Sequence, residues 1–146
     1  MSIAVGSDHA GFKLKEQLLA HLSKNSIDFF DFGTYGEERV DYPDYAFKVA
    51  NAVSIGEFQF GLVICGSGIG VSIAANKVKG IRAALCCNEY MAKMARKHNN
   101  ANVIAMGGRT TSSEDAIKIL DAFLENDFEG GRHQKRIEKI HNVSGC

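Results

Sequence analysis

Two apolar periods alternate along this 146-residue chain, and that alternation constrains the fold more than any other feature. Short, mostly apolar runs at 3–5, 29–32, 60–65, 82–86 and 102–106 read as buried strands. The longer stretches between them carry helical spacing. Leu14, Leu18 and Leu22 stack four apart with Leu19 beside them, and Ala46, Val49 and Val53 form a second stripe. Met91 and Ala95 form another, followed by Ile117, Leu120 and Leu124. Ile69 to Lys77 is a shorter segment of the same kind, and a last helix is expected over about 132–142, carrying Ile137 and Ile140. Strands that are apolar on both faces, each followed by a helix, imply a parallel sheet covered on both sides. The sequence has neither a linker nor an internal repeat, so the expectation is one three-layer α/β/α domain spanning 1–146.

Charge narrows the partners. Seventeen Lys and Arg balance seventeen Asp and Glu, so no global field draws the chain to nucleic acid or to an anionic membrane. Anion recognition must be local. No apolar run approaches the roughly 20 residues that cross a bilayer. Met1-Ser2-Ile3 leads straight into a strand without a basic segment, so no signal peptide is expected. Cys65 stands alone, Cys86 and Cys87 are adjacent and Cys146 ends the chain. That spacing suits neither a metal nor a redox motif and reads as a reduced, cytoplasmic protein.

In such a sheet, ligands bind beyond the carboxyl ends of the strands. Three unusual loops follow strands: Gly6-Ser7-Asp8-His9-Ala10-Gly11, Cys65-Gly66-Ser67-Gly68-Ile69-Gly70 and Gly107-Gly108-Arg109. All should open on one rim. Glycines at the second turn let the backbone approach a ligand, and amides at a helix start face negative charge. A thiolate beside such amides suits proton abstraction next to a carbonyl, because the enediolate needs immediate stabilisation. On spacing alone, Cys65 reads first as a small buried hydrophobe at a strand end. Asp8 could hold a sugar hydroxyl or cap the first helix, and His9 could meet a phosphate or exchange a proton. His98 follows Met91 and Ala95 at helical spacing, and Arg96-Lys97-His98 suits a helix C-terminus. Gly130-Gly131 should break the chain before the last helix, setting Arg132 and Arg136 on one face. Cations there oppose the helix dipole, which a docked phosphate would reverse; solvated surface arginines are the alternative.

Taken together, these segments resemble the family of type B ribose-5-phosphate isomerases and galactose-6-phosphate isomerases. Beyond the loops, the resemblance is carried by Asp41-Tyr42-Pro43-Asp44-Tyr45, by Ser72-Ile73-Ala74-Ala75-Asn76-Lys77, by His98-Asn99 and by Glu129-Gly130-Gly131-Arg132-His133 with Arg136, between Ile3 and about Ile140. It implies a five-stranded parallel Rossmann-like sheet and an aldose–ketose isomerase acting on a sugar phosphate without metal or cofactor. Cys65 would shuttle the proton between C1 and C2, while Ser67 and the amides of Gly66, Gly68, Ile69 and Gly70 stabilise the enediolate. His98 with Asp8 would open the furanose. His9, Arg109, Arg132 and Arg136 would hold the phosphate, and Tyr42 and Asn99 would contact hydroxyls. The resemblance also implies a homodimer with shared sites, with His98, Asn99 and Arg109 coming from the partner.

One branch of the family carries a glutamate base where this chain has Val71, which places the chain with the cysteine branch. Ser67 often stands as Thr there, and His98-Asn99 is commonly followed by Asp where this chain has Asn100. Galactose or allose 6-phosphate are rival substrates, since a further hydroxymethine changes pocket depth rather than motif identity. A nucleotide-binding module is disfavoured because the first loop lacks Gly-x-Gly-x-x-Gly. A cysteine hydrolase pairing Cys65 with His98 would leave Asp8 and the arginines without roles.

Overall fold

Side chains along the central strands alternate between two separate apolar cores, which is why the strands look apolar throughout in the sequence. The computed structural model describes residues 1–144, so Cys146 lies outside the described residues. The elements run β1 (Ser2–Ser7), α1 (Phe12–Lys24), β2 (Asp28–Asp31), α2 (Tyr42–Ser54), β3 (Phe60–Cys65), α3 (Ile69–Ala75), β4 (Ala83–Leu85), α4 (Glu89–Asn99), β5 (Val103–Gly107), α5 (Ser113–Leu124) and α6 (Arg132–Ser144). All strand pairs are parallel, in the order β2-β1-β3-β5-β4. Ile3, Val5, Leu62, Ile64, Ile104 and Met106 enter the core beneath α1, α4 and α5. Ala4, Val63, Cys65, Val103 and Ala105 enter the core beneath α2 and α3. The result is the expected five-stranded, three-layer sheet.

Small residues set the close approach of α2. A Cβ on Gly61 would lie 2.8 Å from the Val49 side chain and 3.0 Å from that of Val103, so the helix can sit on β3 only over a bare backbone. Each fully buried Leu or Ile contributes about 1.5–3 kcal/mol of burial free energy. Leu18, Leu22, Leu62 and Leu120 on the opposite face are of this kind. Among the described residues no helix is long and apolar enough to cross a membrane.

Several details differ from the sequence expectations, each for a packing reason. The buried face of α4 is Ala92, Ala95 and Arg96, while Met91 is 38 % exposed. Arg96 stays inside because its guanidinium lies 4.7 Å from the Phe60 ring centroid and 5.6 Å from that of Phe123, and donates to the Asn100 side chain and the Ala101 carbonyl. In α5 the stripe is centred on Ala116, Ile119, Leu120 and Phe123, with Ile117 and Leu124 at its edge. Helix α3 stops at Ala75 rather than Lys77: Asn76 closes it and exchanges two hydrogen bonds with the Ala83 backbone, at 2.8 and 2.9 Å, which ties the helix end to β4. Strand β4 is shorter than 82–86 because the Arg82 N–H donates to the Asn102 side chain. In α6, Ile137 is buried and Ile140 is 56 % exposed.

Candidate active site

Order reverses at β1 and β3, since the chain leaves β1 toward β2 on one side and then returns to build β3 and β5 on the other. The crevice at their carboxyl ends is where a ligand fits an open α/β sheet. Register aligns the ends, with Ser7 opposite Ile64 and Cys65 opposite Gly107. Backbone bonds then tie the three loops together. The Asp8 N–H donates to the Ile64 carbonyl at 3.1 Å, that of Gly108 to Cys65 at 2.8 Å, and that of Arg109 to Gly66 at 3.0 Å.

An open cleft of about 650 Å³ lies there, lined by Asp8, Tyr42, Cys65, Ser67, Gly70 and Arg109 among others. Cys65 ends β3 as a buried residue, 5 % exposed, and its Sγ accepts the Gly68 N–H at 3.2 Å. Gly68 makes that contact from a left-handed conformation, φ +78°, where a Cβ would also meet the Met106 backbone at 2.7 Å. Ser67 Oγ accepts the Ile69 N–H at 3.2 Å. The first bond of α3 runs from Ser72 N to Gly68 O, so helix geometry leaves the Gly70 and Val71 amides without backbone acceptors. Tyr42 opens α2 and lays its ring over Gly70, where a Cβ would come within 2.6 Å of Cζ.

Asp8 does not cap α1, whose N-cap is Gly11 with no side-chain cap bond. One carboxylate oxygen, Oδ1, accepts the Ala10 and Gly11 N–H groups at 2.9 and 3.0 Å, so it holds the loop ahead of α1 while the side chain still lines the cleft. A second recess of about 380 Å³ adjoins the first through Arg109 and is lined by His9, Arg39, Val40 and Asp41. The Val40 N–H donates to His9 Nδ1 at 3.2 Å, so the ring proton sits on Nε2, a donor suited to an anion. Arg39 carries no distinguishing sequence pattern and was not expected here.

The remaining expected residues lie elsewhere. Helix α4 returns antiparallel to the strands, so His98 and Asn99 emerge at the amino edge of the sheet. A six-residue strand spans about 20 Å, which is the scale of their separation from Cys65. Arg132 and Arg136 lie exposed on α6, which follows Gly130 and Gly131 at φ +64° and +55° and packs against α4. The sequence expectation takes Arg109 from a partner subunit; within one chain Arg109 lines the cleft with Cys65. Its place after β5 puts it at the same strand ends. Asn100 caps α4 in the left-handed conformation, φ +44°, and its Oδ1 accepts from Arg96 at 3.0 Å. Its side chain is thus engaged with the core arginine.

At that edge the His98 and His133 rings stack, with centroids 4.2 Å apart and planes inclined by 13°. Burial, then His98, Arg132 and Arg136, hold the His133 pKa below the ordinary imidazole value. Glu129 is held below the usual carboxylate range, chiefly by its hydrogen bond from Lys97. From sequence, His133 only adds positive charge to the last helix; the tertiary contact of α4 with α6 brings it and Glu129 to His98.

A parallel sheet of this order, with a thiol and glycine-framed amides at its switch point, places the chain among α/β proteins that bind small polar ligands beyond their strand ends. More narrowly, the chain belongs to the ribose/galactose isomerase family, whose model matches residues 3–140. It is 51 % identical over 138 residues to ribose-5-phosphate isomerase B of Escherichia coli K12, covering 94 % of this chain and 93 % of that protein. A solved structure of ribose-5-phosphate isomerase B from Clostridium thermocellum superposes with a TM-score of 0.98 at 51 % identity, covering 99 % and 98 % of the two chains. That of the Mycoplasma genitalium enzyme with bound ribulose 5-phosphate gives 0.94 at 44 % identity, covering 99 % and 96 %.

Proposed function

We propose that the chain interconverts ribose 5-phosphate and ribulose 5-phosphate through an enediolate, as a single cytoplasmic domain using side-chain and backbone groups alone. The observation that carries this reading is Cys65, set beside the Gly68 amide and opening into the cleft that Ser67 and Arg109 share. Removing the C2 proton of the open-chain aldose leaves charge on O1. Moving the O2 hydroxyl proton to O1 shifts that charge to O2, and returning the carried proton to C1 then gives the ketose, so one thiolate serves both directions. The free amides that helix geometry leaves at the start of α3 and the Ser67 hydroxyl support stabilisation of the enediolate oxygens. His9 Nε2 and Arg109 bound the adjoining recess and suit the phosphate.

A furanose has no carbonyl to enolise, so the ring must open first. His98 is the group assigned to that step, together with Asp8, and Asn99, Arg132 and Arg136 complete hydroxyl and phosphate recognition. His98, Asn99, Arg132 and Arg136 stand at the opposite edge from Cys65 and Asp8 in one chain. The reading therefore needs a homodimer in which the amino edge of one subunit faces the cleft of the other. Tyr42 lies over Gly70 and lines the same cleft, which supports its contact with hydroxyls.

The test is turnover of ribose 5-phosphate compared with allose and galactose 6-phosphates, in chelator, with proton exchange followed in deuterated water. Ribose 5-phosphate should exchange and isomerise fastest. Faster turnover of a six-carbon substrate would move the assignment to that sugar, and no exchange with any of them would end it.

A further inference from the structure

The recess beside the cleft holds an arginine that no sequence motif marks. Arg39 lines it with His9, Val40, Asp41 and Arg109, and Arg109 also lines the cleft of Cys65. A Cβ on Gly66 would lie 3.4 Å from Arg109 Nη1, so that guanidinium stands beside the turn that follows Cys65. Arg39 comes from a different segment, the 32–41 connection between β2 and α2. That connection is tied at both ends. The Ser7 N–H donates to the Gly33 carbonyl at 2.7 Å, and the Thr34 N–H to the Ser7 carbonyl at 2.8 Å. Tyr35 Oη donates to the Asp31 carbonyl at 2.9 Å, and the Val40 N–H to His9 Nδ1 at 3.2 Å. The backbone next to Arg39 is therefore held against the first loop. A guanidinium on a held backbone loses less freedom around a ligand than one on a loose segment.

Charge is a separate observation. The nearby Glu37 is taken by Lys13 at 3.1 Å. Among the described residues neither Arg39 nor Arg109 forms an ion pair, although Asp41 lines the same recess. Two guanidiniums without counter-ions, with the His9 Nε2 donor, outweigh that one carboxylate. A concave space lined in this way focuses a field that favours a dianion.

We propose that Arg39 is a further phosphate-binding residue of this site, acting with His9 and Arg109 of the same chain. The subunit that carries Cys65 then grips the phosphate itself, in addition to the grip that the shared-site reading takes from Arg132 and Arg136 of the other subunit. Guanidinium suits the task because its planar fork meets two phosphate oxygens at once. The phosphate is the same in aldose, enediolate and ketose. Arg39 therefore strengthens every bound state alike, and its loss shows in KM rather than in kcat.

This inference rests on the sugar-phosphate reading for its substrate, but phosphate binding is measurable without turnover. Wild-type protein, Arg39→Ala, Arg39→Lys and Lys118→Ala are titrated with inorganic phosphate by calorimetry, and ribose 5-phosphate kinetics are measured on each. Lys118, an exposed cation midway along α5, controls for the loss of one positive charge. Phosphate binding should weaken about tenfold in Arg39→Ala, the scale of one charged hydrogen bond, less in Arg39→Lys, and not in Lys118→Ala. The KM for ribose 5-phosphate should rise by a similar factor in Arg39→Ala, with kcat kept. Equal phosphate affinity in wild type and Arg39→Ala would overturn the contact. So would an equal loss in Lys118→Ala, or a fall in kcat at unchanged KM. Phosphate binding that depends on Arg39, in a wild type that does not turn over ribose 5-phosphate, would uphold the contact and overturn the isomerase reading.

Discussion

Cys65 and Cys86 show how far neighbours decide the chemistry of one residue type. Both are buried, at 5 % and 1 % exposure. Cys65 ends its strand against an amide N–H, within a cleft. Burial, and secondarily Cys87, push the Cys86 thiol up to about 12. Cys86 should therefore stay unmodified by iodoacetamide at neutral pH while the exposed Cys87 reacts, as peptide mass mapping would reveal; alkylated Cys86 in folded protein would contradict this. Cys65→Ala should lower kcat at least ~10²-fold, the usual scale for losing a positioned base, with phosphate-ligand binding retained. Near-normal turnover would dismiss Cys65 as the base. Sequence spacing left Cys65 open between base and strand-end hydrophobe because an apolar strand end looks the same in both cases.

Elements carry information that residue patterns miss. Lys15 sits on the buried face of α1 with no exposed surface, in an ion pair with Asp31 at the end of β2 and 3.4 Å from Glu16. Asp31→Ala strands the buried ammonium, and the loss should be about 3 kcal/mol, at the low end for a broken buried pair because Glu16 remains. Replacing Lys15 by Met in that variant should recover most of the loss, since no charge is then left unpaired. Urea midpoints of the two proteins check this, and equal midpoints would assign the effect to Asp31 alone. The Leu14, Leu18 and Leu22 stripe was legible, yet nothing in it marks Lys15 as internal. The sequence stripe sets Met91 with Ala95 on the buried face of α4, where the structure sets Ala92 with Ala95. Two apolar positions set a helix's period but not its rotation against neighbours, and the Phe60 and Phe123 rings that hold Arg96 come from β3 and α5.

At the scale of the molecule, the candidate machinery divides between opposite edges of one sheet. Under the proposed shared-site reading, two copies complete each other. Cys65→Ala and His98→Asn should each be nearly inactive alone. Mixed under conditions that allow subunit exchange, half the dimers carry one intact site, so about a quarter of wild-type activity should return. Mass-tagging one variant verifies the exchange. Proven exchange without regained activity would exclude a shared site.

By itself the sequence determined the layers, the parallel sheet and the loops at its carboxyl edge. Those follow from local period and from glycine placement, which act within a few residues of each other. Tertiary structure alone decided which loops share a cleft. Arg109 joins Cys65 because β5 pairs beside β3, a choice made by packing between segments about 40 residues apart in sequence. His98 is carried to the other edge because a helix must run back along the sheet before the next parallel strand can start. Glu129 and His133 gather beside it only when α6 docks on α4, and no periodicity within either helix records that contact.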